Sequence, residues 1–312
     1  MFNSLFCKKN RPAIKLESVN LGSGRVELPV AEIQGLRPGK TLLITAGMDG
    51  DEYAGIEAAY RLADEFAAGD FSGRLIVLPI INLPGFEGEC SFNPSDERFP
   101  KFIFPGSSHG TSSERLVNWL YTEFVSECDV WLDLHGGAIT ERVNPFLWLY
   151  ETGVGLADDF TNLLRKNTST ETVLCEAVTA NHKASQLARE GRVYVMAESG
   201  ERGNLLEADI LRHVNWAHEV MGQMEMIQNP IPRTKTIDQL TSVEYIQAPF
   251  DGIWRAHDLS KLELSKGVII GHIEKLDGSG ARTVEIPHGG KALWWKETMS
   301  MSKGDILLAI GN

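Results

Sequence analysis

Residues 41–52 have the sequence TLLITAGMDGDE, in which a short apolar run is followed by glycines and acidic residues. A continuous apolar run of this length, bounded by turn residues, predicts a strand that is buried on both faces of a sheet. Apolar residues then recur at helical spacing between Tyr53 and Ala68, which predicts an amphipathic helix. This strand-turn-helix unit favours an α/β fold and puts the polar turn at the end of the strand.

The same alternation continues outward from this unit to about residue 226. Strands are predicted over 74–81, 129–135, 143–150 and 192–197, helices over 113–127 and 205–226, and helical and strand-like pieces over 156–166 and 171–178. A long loop over 82–112 separates the second strand from the next helix. The pattern predicts a largely parallel or mixed sheet with helices on both faces.

The character of the chain changes after the proline-containing segment 229–233. Residues 240–312 consist of short β-like runs separated by glycine turns, which predict a small all-β domain. We therefore predict an α/β domain over residues 1–232 and a small C-terminal β domain over 233–312.

The charge and cysteine content exclude several classes of protein. The 312 residues include 30 Lys and Arg against 42 Asp and Glu, a net charge of −12, and the densest basic run is Lys8 to Arg11. This balance argues against a nucleic-acid partner. The four cysteines form no CxxC pair, the first residues do not resemble a signal peptide, and no apolar run is long enough to span a membrane. We predict a soluble cytoplasmic protein, for which a homo-oligomer is compatible with base rates.

Three predicted strands end in clusters of ionisable residues. They are Asp49 and Glu52 after the first strand, Asp133 and His135 at the end of the strand over 129–135, and Glu198 after the strand over 192–197. Ligands of open α/β sheets bind at the carboxyl ends of the strands, so we expect these side chains to converge. Asp49, Glu52 and His135 offer two oxygens and one nitrogen, a catalytic zinc layout. Glu198 would remain as the general base, and Asp133 would orient His135.

Each of these residues also has a purely structural interpretation. The pair Asp49 and Glu52 in front of an apolar helix is typical of a capping box. A histidine at a strand end followed by two glycines is compatible with a simple turn, and Glu198 with a solvated turn. His213 and His218 on the last long helix are interpreted as packing residues.

In their order, these motifs resemble the succinylglutamate desuccinylase/aspartoacylase family, relatives of the zinc carboxypeptidases. The quoted motifs are GMDGDE at 47–52, FPG at 104–106, DLHGG at 133–137 and ESG at 198–200, and the phrase APFDGIW at 248–254 resembles the family's C-terminal β domain. The resemblance implies a carboxypeptidase-like α/β fold and zinc-dependent hydrolysis of an N-acyl amino acid. It assigns Glu52 and His135 to the metal and Glu198 to catalysis.

The chain departs from the family pattern at a metal ligand and at the residues that bind the substrate's carboxylate. Asp49 stands where the family has its first histidine ligand, so the donor set favours zinc, manganese or another divalent ion. Ser91, Lys101 and Phe102 stand where the family presents arginine, asparagine and arginine for the substrate's carboxylate. Lys101 or Arg98 is therefore expected to contact the substrate.

The leading hypothesis is a metal-dependent amidohydrolase that removes the acyl group from a small N-acyl amino acid or amine, with Glu198 as general base. A catalytically inactive family member that binds a ligand or partner is the first alternative, because the histidine ligand and the substrate-binding arginines are both missing. A carboxypeptidase-like peptidase is the second alternative. It would also have to bind a carboxylate of its substrate, for which the same arginines are missing.

Overall fold

The computed structural model describes residues 13–228, 237–259 and 263–312. The basic run Lys8 to Arg11, the segment 229–233 and the predicted domain boundary at 232/233 lie outside the described residues, so the boundary stays a prediction.

Six α-helices are found in the described ranges: α1 (Tyr53–Glu65), α2 (Leu83–Glu87), α3 (Ser112–Glu123), α4 (Gly155–Leu164), α5 (Lys183–Arg189) and α6 (Glu207–Gln223). The strands up to residue 240 are β1 (Ile14–Asn20), β2 (Arg25–Gln34), β3 (Arg37–Ala46), β4 (Ser72–Leu78), β5 (Val130–His135), β6 (Glu141–Val143), β7 (Phe146–Glu151), β8 (Thr172–Ala177), β9 (Val193–Glu198) and β10 (Asp238–Leu240). The strands after it are β11 (Val243–Gln247), β12 (Gly252–Ala256), β13 (Glu263–Leu264), β14 (Ile269–Glu274), β15 (Arg282–Glu285), β16 (Gly290–Lys296), β17 (Ser300–Met301) and β18 (Ile306–Gly311).

A nine-stranded sheet forms the centre of the molecule, in the order β1-β2-β4-β3-β5-β9-β7-β8-β10. The four strands β4, β3, β5 and β9 run parallel, and so do β7, β8 and β10. β7 is antiparallel to β9, β2 is antiparallel to β4, and β1 pairs antiparallel with β2. The predicted mixed, largely parallel α/β sheet is therefore confirmed.

Helices cover both faces of this sheet, as predicted. α1, α4 and α6 bury their apolar residues against one face, and α3 and α5 pack on the other. The central strands are apolar on both sides because both faces are covered, as Leu42, Leu43 and Ile44 of β3 illustrate with no exposed surface. In the described ranges, no helix combines the length and the apolar character that crossing a bilayer requires.

The C-terminal strands form two smaller antiparallel sheets. One has the order β11-β18-β16-β13 with β6 added to β16, and the other the order β15-β14-β12-β17. The single strand predicted over 143–150 is thus two strands, β6 and β7, which belong to different sheets. Asn144 and Pro145 separate them: the Asn144 side chain donates to the Ala292 carbonyl at 2.7 Å, and proline has no N–H for a ladder.

Candidate active site

The three predicted ionisable clusters meet at the carboxyl ends of three neighbouring strands. β3, β5 and β9 are adjacent and parallel, with Asp133 opposite Thr45 and His135 opposite Glu198 in the register. Side chains alternate along a strand, so Asp133, His135 and Glu198 all point to the face that α3 and α5 cover. Asp49 and Glu52 lie in the turn that joins β3 to α1.

Asp49, Glu52 and His135 form a buried cluster whose donor atoms all lie within 4.8 Å of one another. The Oε2 atom of Glu52 is 2.9 Å from His135 Nδ1 and accepts the Gly136 N–H at 3.1 Å. Glu52 is the first residue before α1, but its side chain makes no capping hydrogen bond, so the capping-box alternative does not describe it. Burial, reinforced by Asp49, raises the pKa of Glu52, although His135 and Lys101 favour its anion.

Asp133 contacts His135 on the side of the imidazole away from Glu52. Its Nε2 atom lies 3.2 Å from Asp133 Oδ2 and donates to it, because a carboxylate only accepts. Asp133 is fully buried and also accepts from Thr45 at 2.6 Å and from Tyr194 at 2.9 Å. Burial opposes its ionisation, but His135, Lys183 and the hydrogen bond from Thr45 lower the pKa of Asp133. The arrangement leaves His135 Nδ1 directed at Glu52.

Glu198 lies beside His135 on the neighbouring strand. Its carboxylate accepts no hydrogen bond from any residue within the described ranges. Burial raises the pKa of Glu198 to about 7, although His135 and Lys101 favour its anion. A carboxylate with a pKa near neutrality is suited to both accept and return a proton.

Of the two cations expected from the loop over 82–112, Lys101 reaches the cluster and Arg98 does not contact it. Lys101 lies in the short 3₁₀ turn Pro100–Phe102, and its ammonium donates to Asp49 Oδ2. Burial works against this charge, but Asp49 and Glu52 raise the pKa of Lys101. Arg98 pairs with Glu114 at 3.0 Å, with 43% of its side chain exposed.

The donor set fits a divalent cation. Asp49 Oδ2 is occupied by Lys101, whereas Asp49 Oδ1 is buried and has no hydrogen-bond partner among the described residues. An orphaned carboxylate oxygen, a second carboxylate and an oriented imidazole nitrogen are the ligands that zinc and manganese take in proteins.

Residues 38–220 match the model of the succinylglutamate desuccinylase/aspartoacylase catalytic domain. The chain belongs to this family. The matched range contains all of Asp49, Glu52, Asp133, His135 and Glu198, and it extends over the loop and α5.

Individual known proteins resemble the chain over different extents. A stretch of 123 residues is 35% identical to an N-alpha-acetyl-L-2,4-diaminobutyric acid deacetylase of Halomonas elongata, covering 39% of this chain and 36% of that protein. The match therefore spans little more than a third of that relative. The product-bound ectoine utilization protein EutE (DoeB) of Ruegeria pomeroyi has a similar fold, with a TM-score of 0.82, 22% identity and coverage of 92% and 90% of the two chains. A succinylglutamate desuccinylase/aspartoacylase of Rhodobacter sphaeroides has a TM-score of 0.79 at 20% identity, covering 98% of each chain.

Two features of this family member were not predicted from its sequence. The hydroxyls of Thr45 and Tyr194 complete the Asp133 network, and Lys183 at the start of α5 places its ammonium 3.9 Å from Asp133 Oδ2. A lysine that opens a short helix gives no signal of this, because it is typical of a solvated charge. His213 is a buried packing residue, as predicted, and contacts the Ser199 carbonyl at 2.9 Å through Nε2.

Proposed function

We propose that this family member is a metal-dependent amidohydrolase that removes the acyl group from a small N-acyl amino acid or amine. The observation that carries the proposal is the cluster of Asp49, Glu52 and His135, with Glu198 in register beside the histidine. The family model is named after a desuccinylase and an acylase, and the Halomonas elongata relative is named a deacetylase. All three names describe removal of an acyl group from an amide nitrogen.

Asp49 through Oδ1, Glu52, and His135 through Nδ1 would hold the ion, with zinc as the first candidate and manganese as the second. When bound, such an ion supplies Lewis acidity at the amide carbonyl. Asp133 holds the Nε2 proton of His135, so Nδ1, which lies 2.9 Å from Glu52 Oε2, is the nitrogen that would bind the ion after losing its proton. Lys101 neutralises part of the charge of Asp49 and remains our candidate for a substrate contact, with Arg98 the weaker candidate because Glu114 already binds it.

Glu198 performs the proton transfers in this proposal. As the anion it accepts a proton from the attacking water, and as the acid it returns that proton to the leaving nitrogen. Its raised pKa, near 7, lets one group perform both steps at neutral pH. The loop over 82–112 forms one wall beside the cluster and brings Phe102 next to Lys101, with the ammonium 5.3 Å from the ring centre.

The test is hydrolysis of a panel of N-acetyl and N-succinyl amino acids and amines by the wild type and by Glu198→Gln. We expect kcat of the variant to fall about 10²- to 10⁴-fold, the usual contribution of a general base. Metal content and melting temperature should stay the same, because the Glu198 carboxylate has no hydrogen-bond partner to lose within the described ranges. Glu176→Gln, on the same face of the sheet, is the matched control and should retain activity. Unchanged hydrolysis in Glu198→Gln would end the proposal.

A non-catalytic, ligand-binding family member is the second candidate, because the ion pair between Lys101 and Asp49 neutralises the cluster without a metal. It predicts no hydrolysis of the panel and no metal uptake. A peptidase would instead cleave a peptide bond at a chain end, and a panel of short peptides measures that activity directly.

A further inference from the structure

Lys183 is a largely buried cation beside the proposed active site. It is the first residue of α5, and 11% of its side chain is exposed. Its ammonium lies 4.2 Å from the centre of the Tyr194 ring and 5.3 Å from that of Trp131. Aromatic faces stabilise a cation but provide no hydrogen-bond acceptor of ordinary strength.

The hydrogen-bonding capacity of this ammonium is not met by the described residues. An ammonium has three donors, and the nearest carboxylate oxygen is Asp133 Oδ2 at 3.9 Å, beyond hydrogen-bond distance. That oxygen already accepts from Tyr194 and from His135. Burial lowers the pKa of Lys183 to about 8, because Asp133 compensates only part of the lost hydration.

The two cations of the loop over 82–112 are already paired. Lys101 donates to Asp49, and Arg98 pairs with Glu114. Among these three cations, Lys183 alone has no hydrogen-bond partner in the described ranges. It lies next to the Asp133 carboxylate that orients His135, and both Asp49 and Lys101 are close enough to affect its charge.

We propose that Lys183 binds a carboxylate of the substrate and thereby selects acidic N-acyl compounds over neutral ones. This inference rests on the proposed function of the site. In an N-acyl amino acid, standard bond lengths put the carboxylate carbon about 2.5 Å from the amide nitrogen, so the carboxylate stays close to the amide that is bound. Lys183 lies 3.9 Å from Asp133, the residue that contacts His135, which makes it a candidate partner for that carboxylate. A carboxylate on the acyl chain is the other source of the same chemistry.

The experiment compares three substrates with the same amine skeleton: an N-acetyl amino acid, the N-acetyl amine that lacks its carboxylate, and the N-succinyl derivative of that amine. We expect the wild type to prefer one of the two acidic substrates. Lys183→Met should lower kcat/KM for that substrate about 10- to 100-fold, mainly through KM, and leave the neutral substrate within about twofold. Lys183→Arg should restore most of the preference, and Lys166→Met, an exposed lysine, is the matched control. The acidic substrate that loses activity identifies which carboxylate is bound.

An equal loss on all three substrates would overturn the inference, because it would make Lys183 only a counter-charge for Asp133. No loss on any of them would overturn it as well. If Lys183→Met does not fold, Lys183→Gln replaces it. If the wild type hydrolyses none of the substrates, the proposed function fails separately, and calorimetric binding of the N-acetyl amino acid and the N-succinyl amine then decides: weaker binding in the variant supports Lys183, and equal or absent binding refutes it.

Discussion

Asp133→Asn is expected to weaken metal binding, although it does not replace a proposed metal ligand. Asp133 Oδ2 accepts from His135 at 3.2 Å and from Tyr194 at 2.9 Å, while Oδ1 accepts from Thr45 at 2.6 Å. If the new NH₂ group took the place of Oδ2, it would face only the two donor groups of His135 and Tyr194. At Oδ1 it would face the Thr45 hydroxyl, which already accepts the Trp131 N–H at 2.7 Å. Either orientation removes the negative charge that holds the Nε2 proton of His135.

The magnitude follows from the loss of a buried, charge-assisted network. Breaking a buried ion pair from one side costs about 3–5 kcal/mol, and we expect a fall of this order in the free energy of unfolding. Losing the carboxylate behind a ligating histidine lowers metal affinity about 10- to 100-fold, or about 1.4–2.7 kcal/mol.

The assay pairs urea unfolding of the metal-free protein with competition for metal against a chromophoric chelator. Thr45→Val is the matched control, because it removes a donor to Oδ1 and an acceptor for Trp131 but leaves Oδ2 for His135. It should lose about 1–3 kcal/mol of stability with an almost unchanged metal affinity. Wild-type metal affinity in Asp133→Asn would refute the assigned role of Asp133.

Two further predictions concern the turn after β3 and the buried histidine of α6. A Cβ on Gly50 would lie 2.2 Å from the backbone of Gly85 and Phe86, so Gly50→Ala should shift the turn. We expect it to weaken metal binding at least about tenfold in the same competition assay. Gly24→Ala is the control and should not change metal binding, because a Cβ there would meet open space. Burial lowers the pKa of His213 from 6.5 to about 4, so its contribution to stability is fully present above pH 6.5 and is lost as the pH falls toward 4. Between pH 7.5 and pH 5, wild-type unfolding free energy should drop about 2 kcal/mol more than that of His213→Asn, and equal slopes would contradict the shifted pKa.

The central strands and the site cluster could be predicted because each has a strong local signal. An unbroken apolar run marks β3, and polar residues directly after β3, β5 and β9 converge once those strands are parallel neighbours. The β1–β2 hairpin was not predicted, since β1 exposes much of its surface and its apolar pattern is weak. The assignment of β6 to a C-terminal sheet depends on its partner β16, far away in sequence.

The contacts made by the lysines could not be predicted for a similar reason. Asp49 was expected as a ligand and Lys101 as a substrate contact, but their ion pair spans 52 positions and depends on the conformation of the loop. Lys183 lies near Asp133 only because α5 packs over β9. Long-range pairs of this kind leave no periodic signal in a sequence.

The most direct test of the central claim is the metal content, by mass spectrometry, of the protein purified without chelators. His135→Ala removes a proposed ligand, and His218→Ala, whose imidazole pairs with Glu65 at 3.0 Å instead, is the control. We predict near-stoichiometric zinc or manganese in the wild type and in His218→Ala, and its loss in His135→Ala. A wild-type protein that contains no divalent metal and takes up none when zinc or manganese is supplied would contradict the account.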